Sequence, residues 1–213
     1  MNTYQKTLKK ILTSAEQAIL KKLTTPALVQ DFLDTLEINF EESGETLMSP
    51  RRVLQTRKAH CFEAALLGAT ALAYHGHTPL LLDFQTVPTD EDHVIVVFKQ
   101  DGLWGALSKT NRPILRYRDP IYKSVRELAL SYFNEYYDWD RTKSLRTYSR
   151  PFDLRRYAPE AWVGAGEELE YMADDIDVIP HYQIVPKRLL KKLRLVSPIE
   201  VEAMKLVEWE KKK

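Results

Sequence analysis

The sequence predicts an α+β fold, and three stretches carry that prediction. Cys61 to Tyr74 is an apolar, alanine-rich run of helix length. Leu80-Leu81-Leu82 is a continuous apolar run of the kind found in a strand buried on both faces. Val94 to Phe98 and Leu103 to Leu107 are two further apolar runs, joined by Lys99-Gln100-Asp101-Gly102, where Asp-Gly is a strong hairpin signal. One helix carrying Cys61, packed on an antiparallel sheet carrying His93, with helices added at both ends, accounts for all three.

The flanking elements follow from spacing and breakers. Leu8, Ile11, Leu12, Ala15, Ala18, Ile19 and Leu23 recur at three- and four-residue intervals, which predicts one lysine-rich helix from about Thr7. Pro26 breaks it and opens a second helix, Ala27 to Leu36, with Thr25 as its N-cap. Asn39 to Pro50 is polar, carries the turn signal Ser43-Gly44 and reads as a loop; Ser49-Pro50-Arg51-Arg52 reads as the next helix start. Gly76 can end the Cys61 helix in a left-handed conformation, and Thr78 to Phe84 is extended. Past the arginines 112, 116 and 118, the stripe Val125, Leu128, Ala129, Tyr132, Phe133 and Tyr136 predicts a helix from Ser124 to about Tyr137. Residues 138–160 read as ordered loop, with Ser149 to Asp153 suited to a short strand or turn. Lys187 to Leu195 is a basic amphipathic piece, and a final helix is expected from Ser197-Pro198 to Lys213. Three segments result: an N-terminal helical segment (1–48), a core (49–140), and a C-terminal loop and helical extension packed on that core (141–213).

Composition narrows the function classes. With 213 residues, 44% of them hydrophobic, the chain can bury a substantial core. Lys and Arg total 31 against 30 Asp and Glu, so no global field favours nucleic acid or an anionic membrane. The N-terminus lacks an apolar signal-like run, and no apolar run approaches the length of a membrane span. A single cysteine cannot form an internal disulfide. A cytoplasmic protein without a specific nucleic-acid or membrane partner is therefore expected. His60, His75, His77, Asp90, Asp92 and His93 show neither HExxH nor paired CxxC spacing, so neither a metal nor another cofactor is expected.

The chemistry rests on Cys61 and His93. A helix N-terminus and a nearby imidazolium both stabilise a thiolate, the reactive form of cysteine, and backbone N–H groups at the same helix end can bind an oxyanion. The competing reading is plain: a lone cysteine in an Ala/Leu-rich helix also suits a small core residue. If Gln100 and Asp101 are the two hairpin turn residues, Val97 faces Trp104, Ile95 faces Ala106 and His93 faces Ser108. Ser108 then sits where a group orienting the imidazole belongs.

Three fragments in this order, Ala59-His60-Cys61-Phe62-Glu63-Ala64-Ala65-Leu66, Leu72-Ala73-Tyr74-His75-Gly76-His77-Thr78-Pro79, and Asp92-His93-Val94-Ile95-Val96-Val97 with Trp104-Gly105-Ala106-Leu107-Ser108, resemble the transglutaminase-like branch of the papain-like cysteine enzymes. The resemblance covers about residues 50–112. It implies a papain-like core, with Cys61 as nucleophile and His93 as general base. The family's Trp-x-x-x-Asp arrangement is here Trp104 followed by Ser108, so a hydroxyl replaces the carboxylate; Asn111 and Asp83 are the possible substitutes. Gln55 lies at the offset of the oxyanion-hole glutamine in papain-like enzymes. The implied function is a cysteine-dependent hydrolase or acyltransferase acting on a peptide or a small amide or ester. A catalytically inactive binding module on the same fold is the alternative. An open groove at Cys61 favours the first, and a sealed thiol the second.

Overall fold

A computed structural model describes residues 1–42 and 44–211; Ser43, half of the expected Ser43-Gly44 turn, lies outside the described residues. The N-terminal part forms three helices where the spacing predicted two: α1 (Thr3–Ile11), α2 (Ser14–Leu20) and α3 (Pro26–Asp34). The single stripe fails at Thr13, whose hydroxyl accepts from Glu16 N at 3.2 Å while the Glu16 carboxylate accepts from Thr13 N at 2.7 Å. That reciprocal cap starts a new helix, and Ala15 and Ala18 end up exposed. Thr25 caps α3, with Pro26 as its first residue, as expected. The loop that follows is bounded by a small parallel pair, β1 (Glu37–Ile38) with β2 (Lys58–Ala59), and between these strands α4 (Pro50–Thr56) starts on a Ser49 cap.

Helix α5 (Cys61–Tyr74) is buried from Phe62 to Tyr74, as a helix apolar on every side must be, and the chain turns at Gly76 with φ 97°. It lies on an antiparallel sheet built from β3 (Leu80–Gln85), β4 (His93–Gln100), β5 (Leu103–Leu107), β6 (Arg118–Tyr122), β7 (Thr147–Ser149), β8 (Phe152–Asp153) and β9 (His181–Gln183). The strand order is β6-β5-β4-β3-β7-β9, with β8 also paired to β3. Alternation along the strands divides the core. Leu81, Val94, Val96, Phe98 and Leu107 face the layer that holds α5 and the N-terminal helices. Leu82, Phe84, Ile95, Val97 and Ala106 face the opposite layer, where α6 (Val125–Tyr132) contributes Leu128, Ala129 and Tyr132.

Several expectations need correction. The hairpin turn is Asp101-Gly102, not Gln100-Asp101: both residues have positive φ, 51° and 82°, which Asp and Gly tolerate and Gln does not. Val97 therefore pairs with Ala106 and Lys99 with Trp104, a slip of two residues. A two-residue slip keeps every side chain on its face, so the surface shared by His93 and Ser108 survives the change. The arginine-rich stretch contributes β6, which was not expected. The helix predicted to Tyr137 stops at Tyr132, passes through a 3-10 turn (Phe133–Glu135) and leaves Tyr136 extended.

Nor is residues 141–213 merely an extension packed on the core, because β7, β8 and β9 are strands of the main sheet. Two short helices, α7 (Pro159–Trp162) and α8 (Glu170–Asp177), add Trp162, Met172 and Ile176 to the α5 layer. Lys187–Lys192 is a 3-10 turn. The last helix, α9, spans only Pro198–Ala203 against the longer one expected, whose final residues 212–213 lie outside the described ones. No described helix is long and apolar enough to cross a membrane.

Gly105 shows how tightly the sheet is closed at β5. A β-carbon there would meet Phe98 Cζ at 2.6 Å and the Arg118 carbonyl oxygen at 2.8 Å. The aromatic ring can shift, but the carbonyl belongs to the neighbouring strand. Gly105→Ala is expected to lower stability by about 1–3 kcal/mol, the usual cost of overpacking, read as a fall in the urea midpoint with unchanged slope.

Candidate active site

Cys61 opens α5 and lines a cleft of about 520 Å³, together with Phe40, His60, His93, Lys109, Tyr136 and Trp139 among others. Cys61 as a residue is half-buried. Its helix starts where it does because His60 is the N-cap and Glu63 the third residue, in a reciprocal cap of the kind usually built on Ser or Thr. The Glu63 carboxylate is fully buried and accepts from Thr46 Oγ1 at 2.8 Å, His60 N at 3.0 Å, Met48 N at 3.1 Å and Asn39 Nδ2 at 3.2 Å. These bonds hold the 39–48 loop against the start of α5, and that loop forms one wall of the cleft.

Two imidazoles flank the thiol. Burial pushes the Cys61 thiol up, but its interactions with His60 and His93 more than offset this and hold it well below the ordinary thiol range. His60 Nε2 lies 2.7 Å from the Thr46 carbonyl oxygen, so that nitrogen carries a proton and donates. Burial works against a charged His60; the Cys61 sulfur, Glu63 and the Thr46 carbonyl together raise it to about 9. This histidine entered the sequence reading only as a discarded metal candidate. The signal that would have found it is its position: a polar residue three before Glu63, immediately ahead of an apolar helical run.

His93, buried at the start of β4, has Nε2 2.8 Å from Ser108 Oγ. The Ser108 hydroxyl donates its one hydrogen to the Leu115 carbonyl. Its lone pair must therefore accept from His93 Nε2–H, which leaves Nδ1 of a neutral imidazole without a proton and able to take one. Ser108 is itself fixed by Gln30 on α3, whose amide accepts from Ser108 N at 2.9 Å and donates to Ser108 O at 2.8 Å. Gln30 is a residue that sequence reasoning missed, since nothing local relates positions 30 and 108.

The remaining candidates separate. Asn111 lines the cleft, but both ends of its amide are taken by the Trp209 backbone, at 2.9 and 2.8 Å, so it ties the C-terminal segment to the cleft edge and does not orient His93. Gln55 is exposed on α4 and is not part of the cleft lining: the turn through Arg57, with φ 59°, and β2 separate it from Cys61. The oxyanion role expected of it has no geometric basis here. Asp83 on β3 is paired instead with His181 Nε2 at 3.0 Å, two strands away on β9, and its N–H donates to Ser149 Oγ. Lys109, 2% exposed, lines the cleft without a hydrogen-bond partner among the described residues. Burial pushes its pKa down, while Glu208 and Asp34 pull it back up. Glu41, Asp90, Glu91, Asp92 and Asp138 give the cleft an acidic rim. Among the described residues no group of three or more His, Cys, Asp or Glu side chains is placed to hold a metal ion.

No protein-family model matches the sequence, and no curated protein matches it.

The Asp83–His181 pair gives a pH test. Burial raises the Asp83 carboxyl to about 7, with His181 acting in the opposite direction. A carboxyl held above its unfolded value binds an extra proton in the folded state. That contribution to stability is complete below the unfolded pKa and disappears as pH rises through about 7. Asp83→Asn stays neutral and still offers His181 an acceptor. Its melting temperature relative to the wild type is expected to rise from pH 5 to about pH 7 and to level off from there to pH 8.5 in differential scanning fluorimetry; a constant difference would show that Asp83 does not titrate there.

Proposed function

We propose that the chain is a cysteine-dependent hydrolase or acyltransferase acting on amide, ester or thioester bonds, built on a papain-like core of the transglutaminase-like kind. The observation that carries this reading is the gathering of Cys61, His60 and His93 in the lining of one cleft, where interactions with both imidazoles hold the thiol well below its ordinary range. Support for the core comes from the order of parts: a cysteine at the start of a buried helix, that helix on an antiparallel sheet, and a histidine at the start of an inner strand. His60, pushed up to about 9 by its neighbours, gains a positive charge beside the sulfur when its Nδ1 takes a proton and releases the Phe62 N–H that it caps. His93, with its proton on the Ser108 side, is the base. In the reaction Nδ1 of His93 takes the thiol proton and the sulfur attacks the carbonyl carbon. The C=O electrons move to oxygen, and collapse of that intermediate expels the amine, alcohol or thiol, to which His93 returns the proton. Water or an amine then releases the acyl group. The acidic rim suits cationic partners, an amine acceptor among them.

The binding-module reading draws on one feature. Ser108 can set the tautomer of His93 but cannot stabilise an imidazolium as a carboxylate does. His60 compensates by placing a positive charge near the sulfur from the opposite side.

Iodoacetamide alkylation against pH, read by intact mass on the single cysteine, decides between the readings. Wild-type labelling is expected to hold its rate well below about pH 8.5, the free-thiol midpoint. His93→Ala and His60→Ala are each expected to shift the profile upward, and the double variant to behave as an ordinary thiol. A wild-type profile already like that of a free thiol would remove the enzyme reading and leave the binding module.

A further inference from the structure

With Gln55 outside the cleft, no side chain has yet been given to the developing oxyanion. The α5 N-terminus provides one donor: Cys61 N–H makes no hydrogen bond to a described residue. Alone, that is what every helix start offers. Tyr136 is the independent observation. It is 2% exposed, it lines the same cleft, and its hydroxyl finds no hydrogen-bond partner among the described residues. A buried hydroxyl left without a partner is destabilising, so its presence at this wall calls for a reason other than stability.

Its placement is rigid. The chain leaves α6 through the Phe133–Glu135 3-10 turn, and Tyr136 O then accepts from Ser144 N at 3.1 Å. The ring packs edge-on against Phe84 with centroids 5.8 Å apart, and Phe84 is the direct strand partner of His93. Tyr136 is thus fixed beside the base that serves Cys61. Burial pushes its phenol well above the ordinary range, with the charge on Cys61 the next cause, so the hydroxyl keeps its proton and is a donor at every working pH.

We propose that the Tyr136 hydroxyl and the Cys61 N–H together form the oxyanion hole of the Cys61 site. The inference rests on the acyl-transfer reading above. When the sulfur bonds to the carbonyl carbon and the π electrons move to oxygen, both groups donate hydrogen bonds to that oxygen; neither gives up its proton. The oxygen returns its electrons when the leaving group departs.

Two reagents separate this role from the thiol's own reactivity. Iodoacetamide alkylation is a displacement that forms no oxyanion, whereas p-nitrophenyl acetate acylates through one. Tyr136→Phe, with p-nitrophenolate release corrected against Cys61→Ser, is expected to acylate about a hundredfold more slowly, the usual effect of losing one oxyanion donor. Its alkylation rate and pH profile should stay as in the wild type. Its melting temperature should hold or rise, because the hydroxyl removed has no partner to lose. Unchanged acylation in Tyr136→Phe would overturn the assignment, as would an equal loss in both reactions or a melting temperature lowered by several degrees. A wild type that alkylates as a free thiol would bring down the acyl-transfer reading itself, and the oxyanion hole with it. That outcome is recognised before any Tyr136 variant is made.

Discussion

The buried carboxylate of Glu63 is the interaction on which the site depends. With no exposure, it is satisfied by four converging donors, three from the 39–48 loop and one from the His60 backbone. Each of those bonds has a geometric consequence. The bond to His60 N completes the cap that starts α5 at Cys61. The bonds to Thr46 and Met48 bring the Thr46 carbonyl within reach of His60 Nε2. The bond to Asn39 sets the cleft wall. A group with fewer acceptors at position 63 would leave buried donors unpaired and the loop unattached, and the sulfur would lose its positive neighbour along with the wall.

Around that anchor the cleft separates two tasks that are often assigned to one histidine. His60 belongs to the helix cap and has its Nε2 committed to a backbone carbonyl, so it can carry charge but is poorly placed to exchange protons with a substrate. His93 belongs to the sheet, and its Nε2–H is committed to a serine that is itself committed to Leu115. Only its Nδ1 is open. Where the resemblance implied a carboxylate on the neighbouring strand, the His93 tautomer is set by a hydroxyl clasped by Gln30.

The same region holds polar groups that do not serve the fold. Lys109 and Tyr136 are both nine-tenths buried or more, both line the cleft and both lack partners among the described residues. Tyr4, Ser144, Trp162 and Trp209 also bury a polar atom without a partner among the described residues, so it is their place in the cleft lining, and not the missing partner alone, that marks Lys109 and Tyr136.

Helix α5, strands β3 to β5 and the places of Cys61 and His93 at the head of a helix and of a strand were legible in the sequence because each rests on a local signal: periodicity, apolar runs, an Asp-Gly turn. The caps at Thr25 and Ser49 were legible for the same reason. The hairpin register was not, since Gln100-Asp101 and Asp101-Gly102 differ only in which residues accept positive φ. The contact between His93 and Ser108 survived the error because strand side chains repeat every two residues. Gln55 and Asn111 were misplaced because offset along the chain says nothing about an exposed turn of α4 or a C-terminal strap that captures an amide. Positions 30, 60 and 136 had no part in the sequence-level site: one acts across 78 residues, one is a cap of unusual type, and one leaves a helix whose apolar stripe continues past its end. The sequence by itself determined which residues could do chemistry and on which elements they ride, because those are properties of short segments. The tertiary structure alone decided which groups face the sulfur and which protons they hold, because hydrogen-bond partners are chosen by folding and not by spacing.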